Sequence, residues 1–173
     1  MDERALVARA ATGDPIAFGS LVRLYQGRIR AFLLRLNAGD RALADDLAQE
    51  TFLEGFRKIA QYRGEGTFSG WLYRIAYSRF LMNVRARRDT PAQPEEAATT
   101  EAPDGARLDL ERSMARLMPE ERAALTLCYA LGYSNEEAAG ILSLPLGTVK
   151  SHILRGREKL KLMLQSWSSE VKT

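Results

Sequence analysis

Apolar residues recur every three or four positions through most of this chain, and no stretch alternates at a period of two. The pattern predicts helices only. Residues 1–13 form a short first helix with Leu6, Val7 and Ala10 on one side. Gly13-Asp14-Pro15 reads as a stop followed by a start, with Asp14 as cap and Pro15 in the first turn of the next helix. That second helix, 16–36, carries Phe18, Leu21, Val22, Tyr25, Ile29, Phe32, Leu33 and Leu36 at helical spacing. A turn at 37–40 precedes a third helix, 41–62, whose apolar side is expected to be Leu43, Leu47, Phe52, Phe56 and Ile59. A fourth, 69–88, has Trp71, Leu72, Ile75, Ala76 and Phe80 as its core face, with Tyr73, Arg74, Tyr77, Ser78, Arg79 and Arg85 placed more outward.

The periodicity then stops. Residues 89–107 contain almost no large apolar side chain and are rich in Pro, Ala, Thr and Glu, so they bury no core and read as an extended linker. Helical spacing resumes at 108–117. Pro119 opens a further helix, 120–131, with Leu125, Leu127, Cys128 and Leu131 inward and Gly132 closing it. Ser134 with Glu137 three residues on is a capping box, followed by the small apolar face of Ala138, Ala139, Ile141 and Leu142. Residues 143–147 break that helix around Pro145, and Thr148 caps or opens the last one. There Val149, Ile153 and Leu160 face inward, while Lys150, Ser151, Leu154, Arg155, Arg157 and Lys161 face out. The tail from residue 168 is expected to fray. The predicted fold is all-α: a helical domain at 1–88, a flexible acidic linker at 89–107, and a second helical domain at 108–173 containing a helix-turn-helix.

Composition narrows the function classes. The 173 residues are 46% hydrophobic, yet no apolar run approaches the ~20 residues of a spanning helix. The N-terminus is charged and lacks a signal-peptide core, and the one cysteine fits a reducing compartment as a core thiol, so a cytoplasmic protein without membrane insertion is expected. One His and one Cys do not build the usual zinc sites. No nucleophile–base pair or cofactor loop is evident: the glycines of 62–70 lack phosphate-loop spacing, and Ser134, Ser151 and His152 have capping or DNA-facing explanations. The expectation is therefore a non-enzyme with no catalytic residues, no metal and no cofactor.

The net charge of +3 is modest, but its distribution is not. Arg74, Arg79, Arg85, Arg87 and Arg88 follow one another with no intervening acid, and Lys150, Arg155, Arg157, Lys159 and Lys161 form a second basic run. Asp89, Glu95, Glu96, Glu101, Asp104, Asp109 and Glu111 lie between them. A short helix, a tight turn and a basic second helix are what a major-groove reader needs. Aromatics interleaved with arginines, as around Tyr73 and Arg74, are what single-stranded nucleic acid needs. The third helix carries Asp45, Asp46, Gln49, Glu50 and Glu54 opposite its apolar side, either a solvated face or a docking face for a basic partner.

Several segments together resemble the extracytoplasmic-function sigma factors of the bacterial sigma-70 family. They are Gly13-Asp14-Pro15-Ile16-Ala17-Phe18, Asp45-Asp46-Leu47-Ala48-Gln49-Glu50-Thr51-Phe52-Leu53, Phe68-Ser69-Gly70-Trp71-Leu72-Tyr73-Arg74-Ile75-Ala76, Leu117-Met118-Pro119-Glu120-Glu121-Arg122, and Gly147-Thr148-Val149-Lys150-Ser151-His152. The resemblance implies that 1–88 is sigma region 2 and 108–173 is sigma region 4. It implies that Asp45, Asp46, Leu47, Gln49, Glu50 and Phe52 dock on the β′ coiled coil of core RNA polymerase. By position, Tyr62, Arg63, Tyr73, Arg74, Ser78 and Arg85 would open the minus-10 element and hold a flipped base, so that binding drives melting without ATP. Lys150, Ser151, Leu154 and Arg155 would read the minus-35 element, with His152 and Arg157 on phosphates. Core polymerase, through its β′ coiled coil and β flap, promoter DNA and an anti-sigma factor are the implied partners. The linker would run toward the RNA exit path. The chain has Ser78 where family members often have Asn, and Met82 where they often have Asp; the first departure removes amide hydrogen-bonding capacity near the minus-10 strand. It ends soon after region 4, so no added C-terminal regulatory domain is expected.

Two other classes fit less of the chain. Ser134-Asn135 and Thr148-Val149-Lys150-Ser151-His152 are also similar to LuxR-type regulators, but those join a strand-built domain, and residues 1–88 show no strand pattern. A helical adaptor without a nucleic-acid role leaves the paired basic surfaces unexplained and would bind nucleic acid weakly or without salt dependence.

Overall fold

The structure, a computed structural model, describes the backbone of residues 2–89 and 105–170, with side chains throughout except at 105–109 and 166–170. Among the described residues every regular element is helical. In order they are α1 (Glu3–Ala11), α2 (Pro15–Leu36), α3 (Arg41–Lys58) with a 3₁₀ turn at Ile59–Gln61, and α4 (Phe68–Asp89). Then come α5 (Gly105–Ala115), α6 (Pro119–Leu125) continued by a π-helical turn at Thr126–Ala130, α7 (Asn135–Leu142) and α8 (Leu146–Glu170). The chain divides into two compact units, Met1–Leu33 with Arg41–Ala92, and Leu34–Asp40 with Gln93–Thr173. Most of the predicted linker falls on residues 90–104, outside the described residues, and helix α5 already begins at Gly105.

The first unit is assembled from local signals the chain carries openly. Asp14 caps α2 by accepting the Ile16 and Ala17 N–H groups at 2.9 and 3.1 Å, and its other oxygen holds Arg9 at 2.6 Å. These hydrogen bonds, led by that from Ala17, hold its carboxyl below the usual range. The core is Phe18, Leu21, Tyr25, Ile29, Phe32 and Leu33 of α2 against Leu72, Tyr73, Ile75, Ala76, Tyr77 and Phe80 of α4.

Two expectations about this core are corrected. Tyr73 and Tyr77 are not outward; they are 2% and 4% exposed, and the Tyr73 ring meets Phe32 edge-on at 5.0 Å. Helix α4 is covered by α2 on one side and α3 on the other, so its buried arc is wider than one amphipathic stripe. On α3, the inner face is Ala44, Leu47, Ala48, Thr51 and Gly55, while Phe56 is 42% exposed and Phe52 half-buried. These small residues face the core directly: a Cβ at Gly55 would stand in ordinary van der Waals contact, 3.5 Å, with both Leu72 and Phe18. The buried Thr51 hydroxyl is satisfied by donating to the Leu47 carbonyl at 2.7 Å.

In the second unit Leu117, Ala123, Ala124, Leu125, Leu127, Ala138, Ile141, Leu142, Val149 and Ile153 form the core. Cys128 and Leu131, expected inward, are only half-buried, because the π turn widens the backbone after Thr126. The predicted capping box is present: the Glu137 N–H donates to Ser134 Oγ at 3.1 Å, and the Ser134 N–H to Glu137 at 2.8 Å. Helix α8 starts at Leu146, two residues before the predicted Thr148, and the Pro145 carbonyl accepts the Val149 N–H at 3.1 Å.

The turn between α7 and α8 places Ser143 in the left-handed region at φ 55°. A residue with a Cβ is disfavoured there and glycine is not. Ser143→Gly is expected to stabilise the second unit by about 1 kcal/mol, read as a higher melting temperature of that unit with unchanged helical circular dichroism.

Candidate nucleic-acid and protein-binding surfaces

Helix α8 presents Lys150, Ser151, Leu154, Arg155 and Arg157 to solvent. Lys150, Leu154, Arg157 and Lys161 recur at helical spacing and share one stripe. Ser151 donates to the Gly147 carbonyl at 2.9 Å, which leaves its oxygen free to accept from a base or backbone. His152 is half-buried and its Nδ1 lies 3.3 Å from the Arg155 guanidinium. Lys159 does not belong to this face. It turns back to Glu121 of α6, with contacts of 2.8 and 2.9 Å to the two carboxylate oxygens.

That inward pair seats α8. Glu121 is 1% exposed. Burial alone would raise its carboxyl pKa, but the hydrogen bonds from Lys159 and the Met118 N–H outweigh burial and hold it below the ordinary value. Beside it Gly156 admits a close helix approach, where a Cβ would stand 2.8 Å from Leu125 Cδ1 and 3.4 Å from Glu121 Cβ. At the half-buried Cys128, burial, and then the Glu136 charge, raise the thiol pKa, and Sγ donates to Asn135 at 3.5 Å.

In the first unit the loop 62–67 and helix α4 form a second surface. Tyr62 is half-buried, its ring 5.5 and 5.6 Å from Trp71 and Phe68, and its hydroxyl donates to the Gly66 carbonyl at 3.1 Å. Burial, and then the Glu3 charge, raise its pKa. Gly64 and Gly66 take φ of 77° and 74°, so the loop turns sharply and leaves Arg63 exposed. Arg74, Ser78 and Arg85 lie on one exposed stripe of α4 with Met82, itself 55% exposed. Tyr73, expected among these residues, is core and is removed from the surface. Arg79 is withdrawn too, by its 3.0 Å ion pair with Glu54.

The third surface is α3. Asp46, Gln49 and Glu50 are exposed on one side, and Asp45 pairs with Arg30 of α2 at 2.6 Å. Leu47, expected here, is 3% exposed and packs inward. In its place an open groove of about 480 Å³ runs between α2 and α3, lined by Phe18, Val22, Phe52, Leu53 and Phe56, with Arg30, Asp45 and Gln49 also in its wall. Sequence reasoning assigned Phe56 to the core and overlooked Leu53. Their signal was an excess of large apolar residues on α3 beyond what one buried face requires.

The family model for Sigma-70 region 2 matches residues 21–90, and that for Sigma-70, region 4 matches residues 107–160. The ECF RNA polymerase sigma factor SigE of Mycolicibacterium smegmatis is 41% identical, over 92% of this chain and 67% of that protein. This chain is an extracytoplasmic-function sigma factor of the sigma-70 family. The RNA polymerase sigma-H factor of Pseudomonas aeruginosa is 36% identical over 94% of each chain. Among solved structures, CnrH in complex with the cytosolic domain of CnrY aligns with a TM-score of 0.71 at 29% identity, over 95% of this chain and 97% of that one. The sigma factor RpoE of Bartonella quintana, crystallised with the anti-sigma factor NepR, aligns with a TM-score of 0.72 at 24% identity, over 86% of this chain and 96% of that one, and shows the same fold. As an ECF sigma factor the protein serves promoter-specific transcription initiation by RNA polymerase. None of the described helices is long and apolar enough to cross a membrane.

Two substitutions test how this sigma factor seats α8. Lys159→Ala strands the Glu121 carboxylate and is expected to destabilise the second unit by about 1–3 kcal/mol, while Gly156→Val overpacks against Leu125 and costs a similar ~1–3 kcal/mol; both are read by thermal melting. Because the folded Glu121 pKa is depressed, its contribution is complete above its ordinary value of 4.5 and is lost as pH falls below it. The gap between wild type and Lys159→Ala should therefore shrink on acidification from pH 6 toward about pH 3.

Proposed function

We propose that residues 1–88 act as region 2, residues 108–173 as region 4, and residues 89–107 as the tether between them. Region 4 lays α8 in the major groove of the minus-35 element. Lys150, Ser151, Leu154 and Arg155 read base edges, and His152 and Arg157 meet phosphates. Region 2 docks on the β′ coiled coil of core polymerase through Asp46, Gln49, Glu50 and the half-buried Asp45 and Phe52, with the apolar groove beside them taking side chains of the same partner. The exposed loop and α4 stripe, Tyr62, Arg63, Arg74, Ser78 and Arg85, hold the unstacked minus-10 strand. Tyr73 supports that surface from the core.

The observation that carries this assignment is the separation of charge by surface. Lys150, Arg155 and Arg157 of α8 and Arg74 and Arg85 of α4 remain outward, while Arg79 and Lys159 are turned toward Glu54 and Glu121. The acids of α3 remain outward on a different helix. The protein performs no chemistry of its own; it works in the cytoplasm by lending core polymerase its promoter contacts. Its inhibitor is an anti-sigma protein that covers the polymerase-docking face, in keeping with the CnrH relative, which binds a cytosolic protein domain.

Run-off transcription with core RNA polymerase on a promoter library should yield transcripts that share minus-35 and minus-10 motifs; no transcript and no core binding at low salt would overturn the assignment. Glu50→Lys should weaken core binding roughly ten-fold or more without altering the melting of the free protein. Arg155→Ala should cost about 1–3 kcal/mol at the minus-35 element and relax base preference at one position there.

A further inference from the structure

Among the described residues Tyr129 is one of the most exposed large hydrophobic side chains, at 63%, although it follows a run of seven buried residues, 121–127. The cause is the π turn. The Leu131 N–H donates to the Thr126 carbonyl at 3.1 Å, five residues back, and the Tyr133 N–H to the Leu127 carbonyl at 3.0 Å. The extra residue in the turn rotates Tyr129 off the buried face of α6. A π turn is costlier than an α turn, and such turns recur where a side chain must be re-aimed for function.

Its ring has a specific neighbour. The Arg157 guanidinium carbon sits 5.8 Å from the Tyr129 ring centroid, within cation–π range. Arg157 shares the α8 stripe of Lys150 and Leu154. An unsupported arginine on an exposed helix samples many rotamers, and a guanidinium resting on an aromatic face samples fewer while keeping its five N–H donors at the edge, open to a phosphate.

We infer that Tyr129 is a positioning residue for minus-35 recognition, holding Arg157 extended against the DNA backbone. It rests on the region 4 assignment above. Tyr129 reads no base. It lowers the ordering cost of one phosphate contact, so its effect passes through Arg157 and is independent of promoter sequence.

The test uses the full chain with core polymerase on a promoter carrying both elements, measuring open-complex affinity across a salt series. Wild-type activity in the same assay separates failure of this inference from failure of the sigma assignment. Tyr129→Ala should weaken the complex about two- to five-fold. Tyr129→Phe, which keeps the ring, should match wild type. Arg157→Ala should weaken the complex further and lower the salt slope by about one, and adding Tyr129→Ala to it should have no further effect. Equal losses from Tyr129→Ala with and without Arg157 would overturn the inference, as would a Tyr129→Phe variant as weak as the alanine. Unchanged melting and unchanged core binding by Tyr129→Ala exclude a folding defect; a change in either would overturn a purely positioning role.

Discussion

A carboxylate that is almost wholly buried, Glu121, meets a lysine that reaches in from α8. The second unit's geometry hangs on that pair. A buried acid without its counter-charge costs stability, so the pair favours the rotation and depth of α8 that bring Lys159 to it. Gly156 lets the backbones come close enough for the contact, and the rotation so chosen turns Lys150, Leu154, Arg155 and Arg157 outward. A purely apolar seam between α6 and α8 would tolerate sliding by a fraction of a turn. An ion pair with two short contacts tolerates far less.

The first unit answers a different constraint by similar means. Helix α3 has to lie close to α2 and α4 and still offer a surface. It meets the first demand with Ala44, Ala48, Thr51 and Gly55, and the second with acids on one side and with Phe52, Leu53 and Phe56 along a groove on another. Glu54 gathers Lys58, Arg57 and Arg79 and holds α4 to α3 at 3.0 Å through Arg79. The Lys58 hydrogen bond chiefly holds its carboxyl below the usual range. Charges used inside the fold are thereby sorted from charges left exposed, and Asp46 and Glu50 are among the latter.

Much of the fold was legible because its signals are local. Asp14, the Ser134–Glu137 capping box and the Pro145 break each act within a few residues, and each takes its predicted place in the structure. The errors came where three elements meet. Tyr73 and Tyr77 read as outward because a two-sided burial of α4 looks like an ordinary amphipathic helix with polar-tipped aromatics at its edge. Leu47 read as a docking residue because the matched motif contains it, although its side chain serves the core. Phe56 read as core because size was taken for burial.

What the amino-acid sequence determined by itself was the helical class, the order of most helices, the turn before the recognition helix and which of its residues face out. Those depend on period, capping and breakers, which are properties of neighbours in the chain. Only the tertiary structure decided which charges are consumed in pairs, which aromatics are covered from a second side, and that a π turn brings Tyr129 to Arg157. These depend on residues far apart in sequence, from 25 positions between Glu54 and Arg79 to 38 between Glu121 and Lys159, and no local pattern encodes such a meeting.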